Sequence, residues 1–514
     1  MIIIYHNKSK VTKIVSPGTV NFSNEINLKI VQALLSLADK FKDEILVWCQ
    51  ESEKDNLNIA EIENLFHHKK LLFSYNSTYN NYFDTRLGYV EDSIYIRINK
   101  EVKYPTWQMS SSVGAVHASV INACKKDLNA KDNFDYFLNS FAKRAMAKGL
   151  FCYSEPRLLL QKKSLEANVK PNLQELFKFT KQHYKVQWTF LLLFNMFLFE
   201  RKFPLLPFLI SLFYKRRKFN SELLNQIPIE SSKRIVEQGT IDVLIPTIGR
   251  RDFLLDVLNN LESQTHLPKN VIIVEQNPLE NSQSDLDYIQ NKKWSFNIMH
   301  QFTHQAGACN ARNIALKLIE SEFTFFADDD IVFGNDLLEN TLKTFQNTGN
   351  EALLIAIHLQ SQTIIPDVPK QFPIFGTSHA FVKSSSFKGL KFNMGFEFGY
   401  GEDADFGMQL RNSGFDVLYI STETILHLKA PMGGFRTKPI LQWQDDEIQP
   451  KPSPTIMLYK LLYDTKEQTQ NYKSTVFIKN LNKNFLLNPF KYIKTFRQKW
   501  NRSVYWAKEL NKQQ

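Results

Sequence analysis
IDVLIPTIGRR, Ile241 to Arg251, reads as a buried strand that stops at Pro246 and turns at Gly249, with a helix over Phe253 to Leu261 behind it. VIIVEQNP, Val271 to Pro278, is a second apolar run and carries Glu275 at its end. FTFFADDD, Phe323 to Asp330, is a third, preceded by a helical pattern from about Ala308 to Glu320. Apolar runs alternating with helices predict a parallel sheet covered by helices. In such folds ligands gather at the carboxyl ends of the strands. Glu275 and the aspartate run are therefore expected to share one cleft.

Three consecutive carboxylates repel one another unless a cation or hydrogen-bond donors offset them. Mg2+ and Mn2+ take carboxylate oxygens and bridge them to substrate phosphates, which is one reading of Asp328, Asp329 and Asp330. The other is a turn with an N-cap for the helix Asp336 to Phe345. GYGEDADFGMQLRNSGF, Gly399 to Phe415, places glycine turns before a helix whose Phe406 and Leu410 face the core at i and i+4. Asp403 stands at the entrance of that helix on its inner side, a position open to a general base. Glu402, Asp403 and Asp405 equally complement the helix dipole, at roughly 0.3 to 1 kcal/mol each.

Taken in order, VLIPTIGR, VIIVEQ, GACNARNIAL, the strand ending in DDD, the GEDADF helix and a later His427 resemble glycosyltransferase family 2 over roughly Ile241 to Arg436. The resemblance implies an α/β catalytic domain of the GT-A, Rossmann-like fold. It implies transfer of a sugar from a nucleotide diphosphate to an acceptor hydroxyl with inversion. Asp328 and Asp330 match the DxD positions that hold a metal, Mn2+ or Mg2+, and His427 matches a histidine that completes the site in some members. Glu275 occupies the place where the family usually has an aspartate reading the uracil ring. Arg312 and Asn313 match the ARN signature near the nucleotide, and Pro246, Thr247, Gly249, Arg250 and Asp329 complete the expected nucleotide-sugar site. Asp403 is the expected base, with Glu402 second. A UDP-sugar is the favoured donor and a glycan or lipid-linked glycan the acceptor, in surface polysaccharide synthesis. The alternative is a non-catalytic sugar-nucleotide-binding scaffold at a membrane surface.

The whole chain of 514 residues allows two to four domains at roughly 100 to 200 residues each. With 43% hydrophobic and 22% charged residues it has ordinary globular usage, which excludes collagen-like, wholly disordered and many-pass membrane classes. Four cysteines without a CxxC pair suggest neither a disulfide framework nor a cysteine zinc site. MIIIYHNKSK at the start has no secretory pattern, so the expectation is a cytoplasmic protein, peripheral on the inner face of the cell membrane.

The net charge of +11 concentrates late, with thirteen Lys and Arg against three acids from Lys451 onward. Such a basic, aromatic tail reads as a solvated helical face, an anchor on an anionic membrane surface, or a nucleic-acid grip. The third is set aside, since no nucleic-acid module accompanies it. VQWTFLLLFNMFLFE, Val186 to Glu200, is too short to span a bilayer; it suits a helix in the bilayer interface or one packed between domains. The expected domains are 1–170, a second α/β domain; 171–235, an apolar and basic helical linker; 236–440, the catalytic domain; and 441–514, a basic helical tail.

An offset of 265 residues pairs Ala115 with Ala380, Ser119 with Ser384, Phe141 with Phe406 and Gly149 with Gly414. This predicts a degenerate GT-A-like copy at the N-terminus, with Leu138 and Phe137 where Asp403 and Glu402 stand. Chance similarity predicts a first half without such a sheet.

Overall fold
The computed structural model describes residues 1–18, 21–76, 81–161, 172–220, 222–431, 439–481 and 483–512, with 483 and 484 described by backbone alone. The boundary expected at 170/171 and the expected end of the family segment at Arg436 lie outside the described residues. Two compact units form, one of Met1–Ser232 with Asp464–Val476, the other of Lys233–Tyr463 with Phe477–Gln514.

Among its described residues the first unit has seven strands, β1 (Ile2–His6), β2 (Val11–Val15), β3 (Ile45–Gln50), β4 (Leu71–Tyr75), β5 (Tyr104–Pro105), β6 (Val113–His117) and β7 (Phe151–Ser154). They lie in the order β2-β1-β3-β6-β4-β7-β5. The described residues of the second unit form nine: β8 (Ile241–Thr247), β9 (Asn270–Gln276), β10 (Asn297–Thr303), β11 (Phe323–Ala327), β12 (Ile331–Phe333), β13 (Ala352–His358), β14 (Lys370–Gln371), β15 (His379–Lys383) and β16 (Val417–His427). Their order is β10-β9-β8-β11-β15-β13-β16-β12, with β14 beside β16. The three runs read from the sequence are β8, β9 and β11, parallel neighbours that are almost wholly buried. Residues covered on both faces gain roughly 25 cal/mol per Å² of apolar surface removed from water, which explains their unbroken apolar character.

The two sheets share a topology. In the first, β1 runs parallel to β3, β3 antiparallel to β6, β6 antiparallel to β4, and β4 parallel to β7. In the second, the same relations hold for β8, β11, β15, β13 and β16 in the same chain order. The helices Phe134–Met146 and Glu402–Asn412 precede the last core strand of each. Both helices end alike: Gly149 and Gly414 take positive φ of 87° and 94°, and Leu150 N–H and Phe415 N–H reach back to Ala145 and Leu410 at 3.1 Å each. Only glycine adopts that conformation without cost, and it lets the chain reverse into the strand. The 265-residue offset thus brings the ends of these two helices and the strands that follow them into register.

In the first unit the positions matching the candidate acids by that offset are core. Phe134, at the position of Gly399, stacks edge-on against His6 and Trp48, each at 5.7 Å. Trp48 lies across Gly114, where a Cβ would come within 2.2 Å of the indole, and its N–H donates to Ser110 O at 2.9 Å. Phe137 and Leu138 are core residues, 2% and 1% exposed.

Two segments expected to stand apart are built into these units. Helices Leu173–His183 and Val186–Glu200, expected in a linker, give Leu176, Phe177, Phe179, Leu192 and Met196 to the first core. The tail also packs. Helices Pro454–Tyr463 and Pro489–Asn511 bury Met457, Leu458, Trp500, Ala507 and Leu510, and the stretch 464–476 joins the first unit, where Asn195 donates to Asn471 at 3.1 Å. Part of its apolar surface is thus spent on packing, which composition alone does not reveal, while Leu486, Leu487 and Phe490 stand 82%, 82% and 85% exposed.

Candidate active site
A cavity of about 550 Å³ opens at the carboxyl ends of β8 and β11. Parallel strands diverge to either side there, with β9 on one flank of β8 and β11 on the other. Pro246, Thr247, Arg250, Arg312, Asp328, Asp329, Asp330, Glu402, Asp403 and His427 line it, so acids from distant stretches of sequence meet.

Each aspartate of the run has a different task. Asp329 accepts from Thr247 Oγ1 at 2.7 Å and Arg250 Nη1 at 2.6 Å, tying the turn after β8 to β11. Burial pushes its carboxyl up to about 6. Asp330 is 2% exposed; its Oδ2 accepts from Ala430 N–H at 2.7 Å, and His427 Nε2 lies 3.3 Å from its Oδ1. Burial raises the Asp330 carboxyl, but His427 and the Ala430 N–H outweigh it and hold it low. Asp330 in turn raises the His427 imidazole. The pairing of Ile331 with His427 across β12 and β16 brings this histidine to the aspartates. Asp328, Asp330 and His427 each offer an atom within 4.8 Å of the others.

Asp328 and Asp403 meet at Arg312. This arginine, 6% exposed on the helix Ala308–Leu316, lies 3.6 Å from Asp328 Oδ1 and 3.9 Å from Asp403 Oδ1. Its Nε and Nη1 are buried without a hydrogen-bond partner, and the guanidinium sits 5.5 Å over Phe392. Asp403 accepts from Thr377 Oγ1 at 2.5 Å. Glu402 is pushed up to about 7, first by burial and then by the Asp403 charge.

Three expected site residues do not line the cavity. Glu275 accepts from His300 Nε2 at 2.9 Å and Asp285 N–H at 3.2 Å, because strand alternation turns it away and presents Gln276. Asn313 donates to Phe392 O and accepts from Phe392 N–H, both at 2.8 Å, and so fastens the 392 loop. Gly249 serves the turn with φ 60°. Arg251 leaves for Asp287 and the Asp285 carbonyl.

Sequence reasoning missed four residues that shape the site. Glu397 accepts from Cys309 N–H at 3.1 Å and Asn310 N–H at 2.8 Å, covering the N-terminus of the arginine-bearing helix. Gly307, with φ 141°, leaves room for it; a Cβ would lie 2.3 Å from the Glu397 carboxyl carbon. Gln276 accepts from Gly307 N–H at 2.6 Å, and Thr377 orients Asp403. Only Gly307, a lone glycine before an alanine-rich helix start, left a signal.

Residues 242–405 match the family model of glycosyl transferase family 2, and the chain carries a family 2 glycosyltransferase domain over that segment. Among solved structures, S. aureus TarS residues 1–349 in complex with UDP-GlcNAc is 18% identical with a TM-score of 0.35, covering 45% of this chain and 69% of that one. The same TarS fragment in complex with UDP is 15% identical, covers 52% and 83%, and has a TM-score of 0.35. Against the longer S. aureus TarS chain identity is 17%, TM-score 0.34, and the match spans 48% of this chain and 43% of that one. No curated protein matches.

Proposed function
We propose that the second unit transfers a sugar from a nucleoside-diphosphate sugar to a hydroxyl of a glycan or lipid-linked glycan acceptor, with inversion, in surface polysaccharide synthesis. The observation that carries this reading is the meeting of Asp328, Asp330 and Asp403 in one cavity around a buried arginine. The bond from the anomeric carbon to the diphosphate oxygen breaks, and its electron pair leaves with the nucleoside diphosphate. The acceptor oxygen forms the new bond, and its proton passes to Asp403, which Thr377 orients. Arg312 offsets the charge growing on the departing diphosphate from a water-poor position, where such a charge acts most strongly.

Asp328, Asp330 and His427 fit a hard divalent cation: three donor atoms converge, and the buried Asp330 Oδ1 faces His427 Nε2 at 3.3 Å. Mn2+ or Mg2+ held there supplies Lewis-acid stabilisation of the leaving diphosphate. UDP is the first nucleotide to try, in keeping with the family 2 match of residues 242–405. A panel of nucleotide sugars, with Mn2+ or Mg2+ and with chelator, is assayed for release of nucleoside diphosphate. The reading predicts cation-dependent turnover of one donor class. Binding without turnover of any donor, over a panel of glycan acceptors, contradicts it.

A further inference from the structure
The helix Val186–Glu200 is apolar on nearly every side, yet the first unit buries one side of it. Leu192, Leu193 and Met196 face the core, whereas Phe190, Phe194 and Phe197 stand 54%, 41% and 53% exposed. These phenylalanines recur at i, i+4 and i+7, a single stripe along the helix. After a short turn the helix Leu205–Leu212 repeats the arrangement. Phe208 and Ser211 point inward, while Leu206, Leu209 and the following Phe213 are 68%, 45% and 89% exposed. Two adjoining helices thus present one apolar stripe each to solvent, a concentration that marks an interaction surface.

Charge selects the occupant. Residues 185–218 contain seven Lys and Arg against one acid, Glu200, and Glu200 is engaged by Arg86 Nε at 3.0 Å. Arg217 turns inward to Asp132 at 2.6 Å, but Lys185, Arg201, Lys202, Lys215, Arg216 and Lys218 are exposed. Two copies docked face to face through this surface would set those cations against one another. An anionic bilayer offers an apolar phase and negative charge in the same plane. Fifteen residues at about 1.5 Å each reach about 22 Å, short of the roughly 30 Å hydrocarbon layer. Among the described residues no helix is long and apolar enough to cross a membrane.

We propose that the helices Val186–Glu200 and Leu205–Leu212 are a docking surface that lies flat in the interface of an anionic lipid bilayer. The phenylalanines and leucines enter the acyl boundary, and the flanking cations meet the headgroup phosphates. Vesicle binding needs no sugar donor, so this proposal and the reading of the second unit fail independently.

The test is flotation of the full chain with vesicles of phosphatidylcholine, alone or mixed with phosphatidylglycerol. The parent is expected to bind the mixed vesicles at least about tenfold more tightly. Phe194→Ser combined with Phe197→Ser lowers that binding about tenfold or more, with the thermal transition unchanged. Lys215→Glu combined with Arg216→Glu lowers binding to the mixed vesicles about tenfold or more and leaves neutral vesicles unaffected, and added salt weakens the parent in the same sense. Parent-level binding by the phenylalanine variant overturns the assignment. So does a vesicle-inert parent that forms a dimer dissociated by the phenylalanine variant, since the occupant is then a second copy.

Discussion
Arg312 is the residue on which the site's electrostatics turn. It is a buried guanidinium between Asp328 and Asp403, and its charge is stabilised by both. Removing it leaves two carboxylates without their shared cation, so Arg312→Ala is expected to cost about 3–5 kcal/mol in denaturant unfolding. Arg312→Lys keeps the charge but loses the planar fork, so it is expected to recover most of that stability and to lower kcat/KM at least about tenfold. Glu402 makes a prediction about pH. Its folded carboxyl titrates near 7, above the roughly 4.3 of an unfolded glutamate, so the folded state retains a proton that the unfolded chain has released. Stability therefore falls as pH rises through that window, and the penalty is complete above about 7. Glu402→Gln removes it: the gain in Tm over the parent is expected to be larger at pH 8 than at pH 5, read by scanning calorimetry at both. The acids were legible residue by residue because DDD and GEDADF are conspicuous runs. Thr377, Gln276 and Glu397 were not, since each acts singly through a fold-dependent contact.

At the scale of elements, two joints hold the chemistry in register. One is the antiparallel pairing of Ile331 with His427, which gives the aspartate run its histidine. That pairing joins residues far apart in sequence, so His427 was legible from the family resemblance alone. The other joint is Glu397 over the start of the helix Ala308–Leu316, admitted by Gly307. Gly307→Ala places a methyl group against a buried carboxylate at a φ of 141°. It is expected to destabilise the protein by about 1–3 kcal/mol and to lower turnover through displacement of Arg312, checked by denaturation and steady-state kinetics together. Asn313 illustrates the reverse error. Its place in the ARN signature suggested the nucleotide, but both ends of its amide are spent on Phe392.

The molecule as a whole has two α/β units whose sheets share the same pairing relations among five strands, and the cavity of the candidate site lies in the second. The strands β8, β9 and β11 were legible because doubly covered strands must be continuously apolar. The shared topology was legible only as spaced identities, since sheet order follows from pairings between distant segments. The interleaving of 464–476 with the first unit left no trace in composition. With Phe134, Phe137 and Trp48 packed in the core of the first unit, calorimetric titration of UDP with Mn2+ is expected to give one site per chain, and Asp330→Ala to abolish it. Two sites would mean that the first unit also binds nucleotide.

The central claim is that Asp403 takes the acceptor proton within a cavity whose diphosphate end is held elsewhere. Turnover and UDP affinity of Asp403→Asn, measured on one preparation, address it directly. A fall in kcat of about 10²- to 10⁴-fold with UDP affinity unchanged is the predicted result, and turnover equal to the parent's contradicts the account.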